Sequence, residues 1–272
     1  MNTQAPIAYA GFDRLYIAGE WRIGRSKRTI RDTNPFNDEA LTVIQGASVE
    51  DVDDAFCEAA SAQVKWAELL PRERAEFLLA AARIFDDRFE EMKQWVIREA
   101  GATHFWANQI CRHAAVCCSE AACYAQGAAG VILPSLIRNQ SSHDYRKPVG
   151  VIAVMTSWNS PINLTIRAVA RALALGNAVV LKPASETLIA GALLHAKVFE
   201  EVGLPKGLFN TVIGLSEIGK ERFTSIDKEE DGGMSIFGHF HSDQWGDFKT
   251  YFKFHLASDG KFDRLDIGQA NY

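Results

Sequence analysis

The sequence predicts an α/β protein: an N-terminal helical block, a parallel-sheet domain after it, and a β-hairpin-like C-terminal tail. Three observations predict it. Apolar residues recur at steps of three and four from residue 48 to about 126. Between Val149 and Ile213, three short apolar runs alternate with two segments long enough to be crossover helices. From about Ile226 that alternation stops, and residues 226–272 hold nine of the 28 aromatic side chains.

The elements follow in order. Tyr16–Trp21 and Arg28–Thr33 read as short strands, closed by Asn34-Pro35. Ser48-Val49-Glu50-Asp51 has capping-box form, and Val52, Phe56, Ala59 and Ala60 share a helical face beyond it. Pro71 suits a first helical position, and Ala75, Leu78, Leu79, Ala82, Phe85, Phe89, Met92 and Val96 form one stripe stopped by Gly101. A helix rich in Ala and Cys spans about His104–Gln126, and Val131–Asp144 reads as loop. Val149–Met155 is an apolar run of the kind buried on both faces. It is followed by a helix over Pro161–Leu175, a strand over Ala178–Leu181, a helix over Glu186–Val202 and a strand over Leu208–Ile213. Asp227–Gly233 reads as a polar linker. Tyr251–Phe254 and Arg264–Ile267 then flank Ser258-Asp259-Gly260, a hairpin signal. This sets the expected domains at 1–225 and 226–272.

Composition narrows the function. With 47% apolar and 23% charged residues the 272-residue chain is globular, and a net charge of −5 disfavours a nucleic-acid partner. The most apolar window, Ala114–Leu133, is interrupted by Ser119, Glu120 and Gln126, so no membrane span is expected. Five cysteines without an export signal lead to the expectation of free thiols in the cytoplasm.

No G-x-G-x-x-G occurs. The informative segments are Lys147-Pro148-Val149-Gly150-Val151-Ile152, Ser157-Trp158-Asn159-Ser160-Pro161, and the run from Ala172-Leu173-Ala174-Leu175-Gly176-Asn177 to Lys182-Pro183-Ala184-Ser185-Glu186. In order and spacing they resemble the aldehyde dehydrogenase superfamily, over roughly Leu15–Gly219. The resemblance implies a Rossmann-like cofactor domain, NAD or NADP as cofactor, a small-molecule aldehyde as substrate, and oxidation to a carboxylic acid. It implies that Asn159 stabilises an oxyanion; alone, Asn159 reads first as a cap for the helix at Pro161. It implies that Lys182 contacts the adenosine ribose and that Thr156 and Trp158 stand beside the cofactor. Taken singly, these read as a solvated lysine and a core tryptophan. Ser185 stands where NAD-preferring relatives often carry Glu, and Glu186 follows, so the choice between the two cofactors stays open. Asp144–Lys147 matches the start of the family's oligomerisation strands, which implies a homo-oligomer; without the family it reads as a solvated basic stretch.

The departures matter as much. Ser157 and Ser160 replace the usual Pro and Phe, Leu188 replaces a common Pro, and Gly214–Gly219 is one residue short. The F-T-G-S, E-L-G-G-K and G-Q-x-C segments, which carry the family's general-base Glu and nucleophilic Cys, do not occur in these 272 residues. Cys57, Cys111, Cys117, Cys118 and Cys123 fall on expected helices and read as buried structural thiols. No metal site is expected, His239-x-His241 reading as strand histidines. The chain is therefore expected to be inactive alone. The alternatives are a non-catalytic dinucleotide-binding or interaction protein, or a frameshifted or fused fragment. An open sheet edge, with its risk of association, is expected as well. Relatives acting on aromatic aldehydes are the nearest substrate analogy.

Overall fold

The computed structural model describes residues 8–127 and 130–214, and the backbone of 222–228, 234–242, 246–256 and 262–269. The chain divides into two units, Met1–Gly214 and Leu215–Tyr272.

The first unit opens on two small antiparallel pairs. β1 (Leu15–Ile17) pairs with β2 (Glu20–Arg22), and β3 (Thr29–Thr33) with β4 (Ala40–Gln45). The single strand expected over Tyr16–Trp21 is thus a hairpin. Ala18 and Gly19 both have left-handed φ, 56° and 76°, the conformation a two-residue hairpin turn demands. β4 was not anticipated: only Ile44 of its six residues is fully buried, so its alternation is blurred.

Helix α1 (Val49–Glu68) begins with the expected capping box. The Ser48 hydroxyl accepts from the Asp51 amide at 3.3 Å, and the Asp51 carboxylate accepts from the Ser48 amide at 2.9 Å. The stripe from Ala75 to Val96 belongs to two helices, α2 (Pro71–Asp87) and α3 (Phe89–Ala100). They part at Arg88, whose backbone leaves the helix (φ −103°, ψ 19°) while its buried guanidinium pairs with Glu91 and Glu201, each at 2.9 Å. Gly101 ends α3 in the left-handed conformation. α4 (His104–Gly127) packs its Ala and Cys face on α2. The segment expected as loop carries an exposed antiparallel pair, β5 (Val131–Leu133) with β6 (Ser142–Asp144).

The parallel sheet is as expected: β7 (Val151–Met155), β8 (Ala178–Lys182) and β9 (Phe209–Thr211), in that spatial order. α5 (Pro161–Ala174) crosses from β7 to β8. A π-helical turn (Ile189–Leu193) running into α6 (Leu194–Val202) crosses from β8 to β9. Helix therefore starts later than Glu186, because Ser185 and Glu186 lie in a turn. β8 is buried along its length, as a central strand should be. β7 is not: it is an edge strand, with Met155 80% exposed and Val149 just before it 87% exposed, contrary to the expectation of burial on both faces.

In the second unit β10 (Arg222–Lys228), β11 (Met234–Ser242), β12 (Gly246–Leu256) and β13 (Phe262–Gln269) form an antiparallel meander. The expected hairpin is its last pair, with Phe252 opposite Ile267 and Phe254 opposite Leu265. Its Asp-Gly turn lies outside the described residues. The expected linker is shorter than foreseen, since Asp227 and Lys228 end β10.

Candidate functional site

Parallel strands place their carboxyl ends on one edge of the sheet, and the loops there are the natural seat of a ligand. Here those loops are Thr156–Ser160 after β7, Pro183–Thr187 after β8 and Val212–Gly214 after β9. The first two are tied together: the Thr156 amide donates to the Lys182 carbonyl at 3.3 Å. Thr165 on α5 fastens the same corner, donating to the Gly191 carbonyl at 2.7 Å and lying 3.4 Å from the Thr156 hydroxyl. The structure therefore brings Thr156, Trp158, Asn159, Lys182, Ser185 and Glu186 to the carboxyl ends of two adjacent strands.

Asn159 is exposed, and its side-chain oxygen accepts from the Ser157 hydroxyl at 2.6 Å. Ser157, a departure from the usual Pro, thus orients the amide. The cap of α5 is Ser160, which makes no side-chain capping bond, so the Asn159 amide is not spent on the helix. Its backbone carbonyl accepts from the Trp106 indole at 3.2 Å. Trp158 is 55% exposed and is not a core residue. Lys182 is half-buried with its ammonium 3.4 Å from the Pro183 carbonyl; Ser185 is half-buried and Glu186 exposed in the turn closed by Thr187 N–H to the Ala184 carbonyl.

A cavity of about 530 Å³ opens beside Thr156 and Ser157, with Leu164, Arg167 and Arg171 on its far wall. A larger concavity of about 840 Å³ runs along the open flank of β7, between Tyr124, Lys147, Ile152 and Leu175. It is lined by the Lys147–Ile152 and Ala172–Asn177 motif segments but by none of Thr156, Trp158, Asn159, Lys182, Ser185 and Glu186.

Several supporting roles escaped the sequence reading. Buried Asn177 accepts from the Val149 and Gly150 amides at 2.7 and 3.0 Å and donates to the Ala172 carbonyl at 3.1 Å, which fixes the entry to β7. Glu99, 2% exposed at the end of α3, accepts from the Ile189 and Ala190 amides at 2.5 and 2.6 Å and so caps the π-helical turn. Its signal was present: Glu99 continues the Met92–Val96 stripe at a step of three, a carboxylate on an apolar face. Asp32 is also 2% exposed, and burial pushes its carboxyl up to about 6. The cysteines divide. Cys111, Cys117 and Cys118 are buried, whereas Cys57 and Cys123 are exposed, which corrects the expectation for those two. Burial pushes the Cys111 thiol up to about 12 and raises Cys117 and Cys118 as well, the reverse of an activated nucleophile. Among the described residues no group of three or more His, Cys, Asp or Glu could hold a metal ion, and no helix is long and apolar enough to cross a membrane.

The sequence model of the aldehyde dehydrogenase family matches residues 21–227. The chain belongs to the aldehyde dehydrogenase family. It is 40% identical over 214 residues to a vanillin dehydrogenase of Corynebacterium glutamicum, covering 78% of this chain and 44% of that one. It is 35% identical over 212 residues to a benzaldehyde dehydrogenase of Bacillus subtilis, covering 78% and 44%. Among solved structures, an NAD-dependent benzaldehyde dehydrogenase from Corynebacterium glutamicum superposes with a TM-score of 0.74 at 38% identity, over 77% of this chain and 46% of that one. The chain thus spans less than half the length of these aldehyde dehydrogenases. Its matched part ends within β10.

Proposed function

We propose that the unit up to Gly214 is the dinucleotide-binding part of an NAD(P)-dependent aldehyde dehydrogenase acting on an aromatic aldehyde. The observation that supports this best is the convergence of Lys182, Ser185, Thr156 and Trp158 at the carboxyl ends of β7 and β8, in a chain of this family. The donor set fits a dinucleotide. A half-buried ammonium and a half-buried hydroxyl suit ribose oxygens, and an exposed indole offers an apolar face. Serine rather than glutamate at 185 puts no carboxylate against a ribose 2′-phosphate, so both NAD and NADP fit. The aromatic substrate class rests on the names of the vanillin and benzaldehyde dehydrogenases to which the chain is similar.

In the reaction the bound nicotinamide supplies a hydride acceptor. Asn159 contributes an amide donor for the substrate oxygen, aligned by the Ser157 hydroxyl, and such a donor is worth about 2.7–4 kcal/mol where charge develops on oxygen. A thiolate and a general base are also needed. The buried cysteines cannot supply the first at neutral pH, the exposed Cys57 and Cys123 stand on α1 and α4 rather than in the strand-end loops, and the family's G-Q-x-C and E-L-G-G-K segments do not occur in the 272 residues. This chain by itself therefore binds dinucleotide without oxidising aldehyde. Incubation with benzaldehyde or vanillin and either cofactor tests this through the absorbance of the reduced nicotinamide. No formation above buffer is expected, and turnover by a preparation free of host enzyme overturns the reading.

A further inference from the structure

A buried carboxyl on α3 stands behind both loops of the strand-end site. Glu99 is 2% exposed, on the face where Met92 and Val96 are also buried, and a carboxyl in such a place is costly unless its oxygens are bonded. Both are bonded to one short stretch of backbone: Oε1 accepts from the Ile189 amide at 2.5 Å and Oε2 from the Ala190 amide at 2.6 Å. These are the first two amides of the π-helical turn, and a helix leaves its first amides without partners of its own. Leu188, which precedes them, offers no side-chain cap. Glu99 supplies from α3 what a local Ser or Asp supplies at other helix starts.

Hydrogen bonds run on from the clamped residues to both loops. The Gly191 amide donates to the Thr187 carbonyl at 3.0 Å, and the Thr187 amide to the Ala184 carbonyl at 3.3 Å, closing the turn that holds Ser185 and Glu186. The Gly191 carbonyl accepts from Thr165 at 2.7 Å, and that hydroxyl lies 3.4 Å from the Thr156 hydroxyl. Gly191 lies between the two loops. A β-carbon on it would stand 3.4 Å from Pro183, after β8, and 3.7 Å from Pro161, where α5 begins.

We propose that Glu99 is a positioning residue for the dinucleotide site: by holding Ile189 and Ala190 it seats Gly191 between the two loops and keeps the Ser185 turn in place beside Thr156 and Lys182. Glu99 touches no ligand in this role. Without it the turn samples other positions, and affinity falls in proportion to the time spent out of the binding one. The effect on affinity rests on the proposed function; the coupling from Glu99 to the turn does not.

Amide hydrogen exchange and NAD+ titration of the 272-residue chain test the two parts. Glu99→Met keeps the length of the side chain and removes both acceptors. Exchange then rises by about tenfold or more at Gly191 and Thr187, whose own acceptors are untouched, and is unchanged at Val179 and Val212, which donate within the sheet. NAD+ affinity falls by about tenfold, as for a turn that holds the binding position about one time in ten. Glu99→Gln keeps one acceptor and gives a smaller change of the same kind; it carries the comparison if Glu99→Met does not fold cooperatively. Trp66→Ala weakens the far end of α5 and leaves affinity within about twofold, which separates positioning from a general loss of stability. Unchanged exchange at Gly191 and Thr187 in the Glu99 variants, or a loss of affinity no larger than that of Trp66→Ala, overturns the proposal. Absence of NAD+ binding by the unsubstituted chain removes the proposed function and the effect on affinity with it, while exchange still decides whether Glu99 holds the turn.

Discussion

Two buried carboxylates show how position sets the sign of a residue's effect on stability. Asp51 is fully buried, but the Ser48 and Arg25 amides and the Arg25 and Arg22 guanidiniums surround it. Burial alone would push its pKa up; the amides and the Arg25 charge outweigh that and hold it below the ordinary value. Its contribution is present above about pH 4, the unfolded value, and is lost as pH falls through its folded value. Asp51→Ala leaves the Ser48 and Arg25 amides without an acceptor while Asp54 still pairs with both guanidiniums, and a loss of about 1–3 kcal/mol in urea unfolding is expected; a loss below about 0.5 kcal/mol would show that the cluster is solvent-screened. Asp32 and Glu99 act in the opposite direction. Their folded pKa values are raised, so the folded state holds protons the unfolded chain has released, and stability falls as pH rises from about 4 through 6 and beyond. Asp32→Asn flattens that alkaline slope in unfolding curves taken from pH 5 to 8. An unaltered slope would place its origin elsewhere.

Among the elements, what the sequence disclosed follows from how directly each residue pattern encodes burial. The β7–α5–β8–α6–β9 alternation was legible because apolar runs, crossover lengths and the stops at Gly176 and Gly203 all agree. The capping box at Ser48 was legible for the same reason. The break between α2 and α3 was not, because the apolar stripe runs straight through Arg88 and the cause is a pair of ion contacts, one of them to Glu201. The π-helical turn was hidden because its cap is Glu99, ninety residues away in sequence. The site residues were placed by their motifs, whereas the groups that hold them, Asn177, Thr165 and Glu99, show only in three dimensions. β7 reads as a buried strand in sequence yet has one edge unpaired among the described residues, and nothing within a strand's own residues reports whether a neighbour is present. An uncharged apolar edge of this kind pairs with copies of itself. Sedimentation velocity should show concentration-dependent association, reduced by Met155→Lys at a cost within about 0.5 kcal/mol of stability. A monomer at all concentrations contradicts that. In the core, Trp66 packs on Phe77 and donates to the Leu173 carbonyl at 2.8 Å, tying α1 to the end of α5. Trp66→Ala should cost about 3–5 kcal/mol in the same unfolding assay, and a markedly smaller loss would mean that this junction bears little of the unit's stability.

At the scale of the whole molecule, family membership and strand-end geometry are separate lines that meet at one place. The family match covers residues 21–227, the parallel sheet lies inside it, and the residues its motifs single out gather at one edge of that sheet. The chain nevertheless spans under half of its relatives' length, so what it can do by itself reduces to one question: whether that edge binds a dinucleotide. Calorimetric titration of NAD+ and NADP+ into the chain and into Lys182→Ala, in samples that unfold cooperatively, answers it. The account predicts saturable one-to-one binding of at least one dinucleotide, weakened by about tenfold to a hundredfold in Lys182→Ala, the loss of one charged hydrogen bond. No heat from either dinucleotide, or binding that Lys182→Ala leaves untouched, would contradict it.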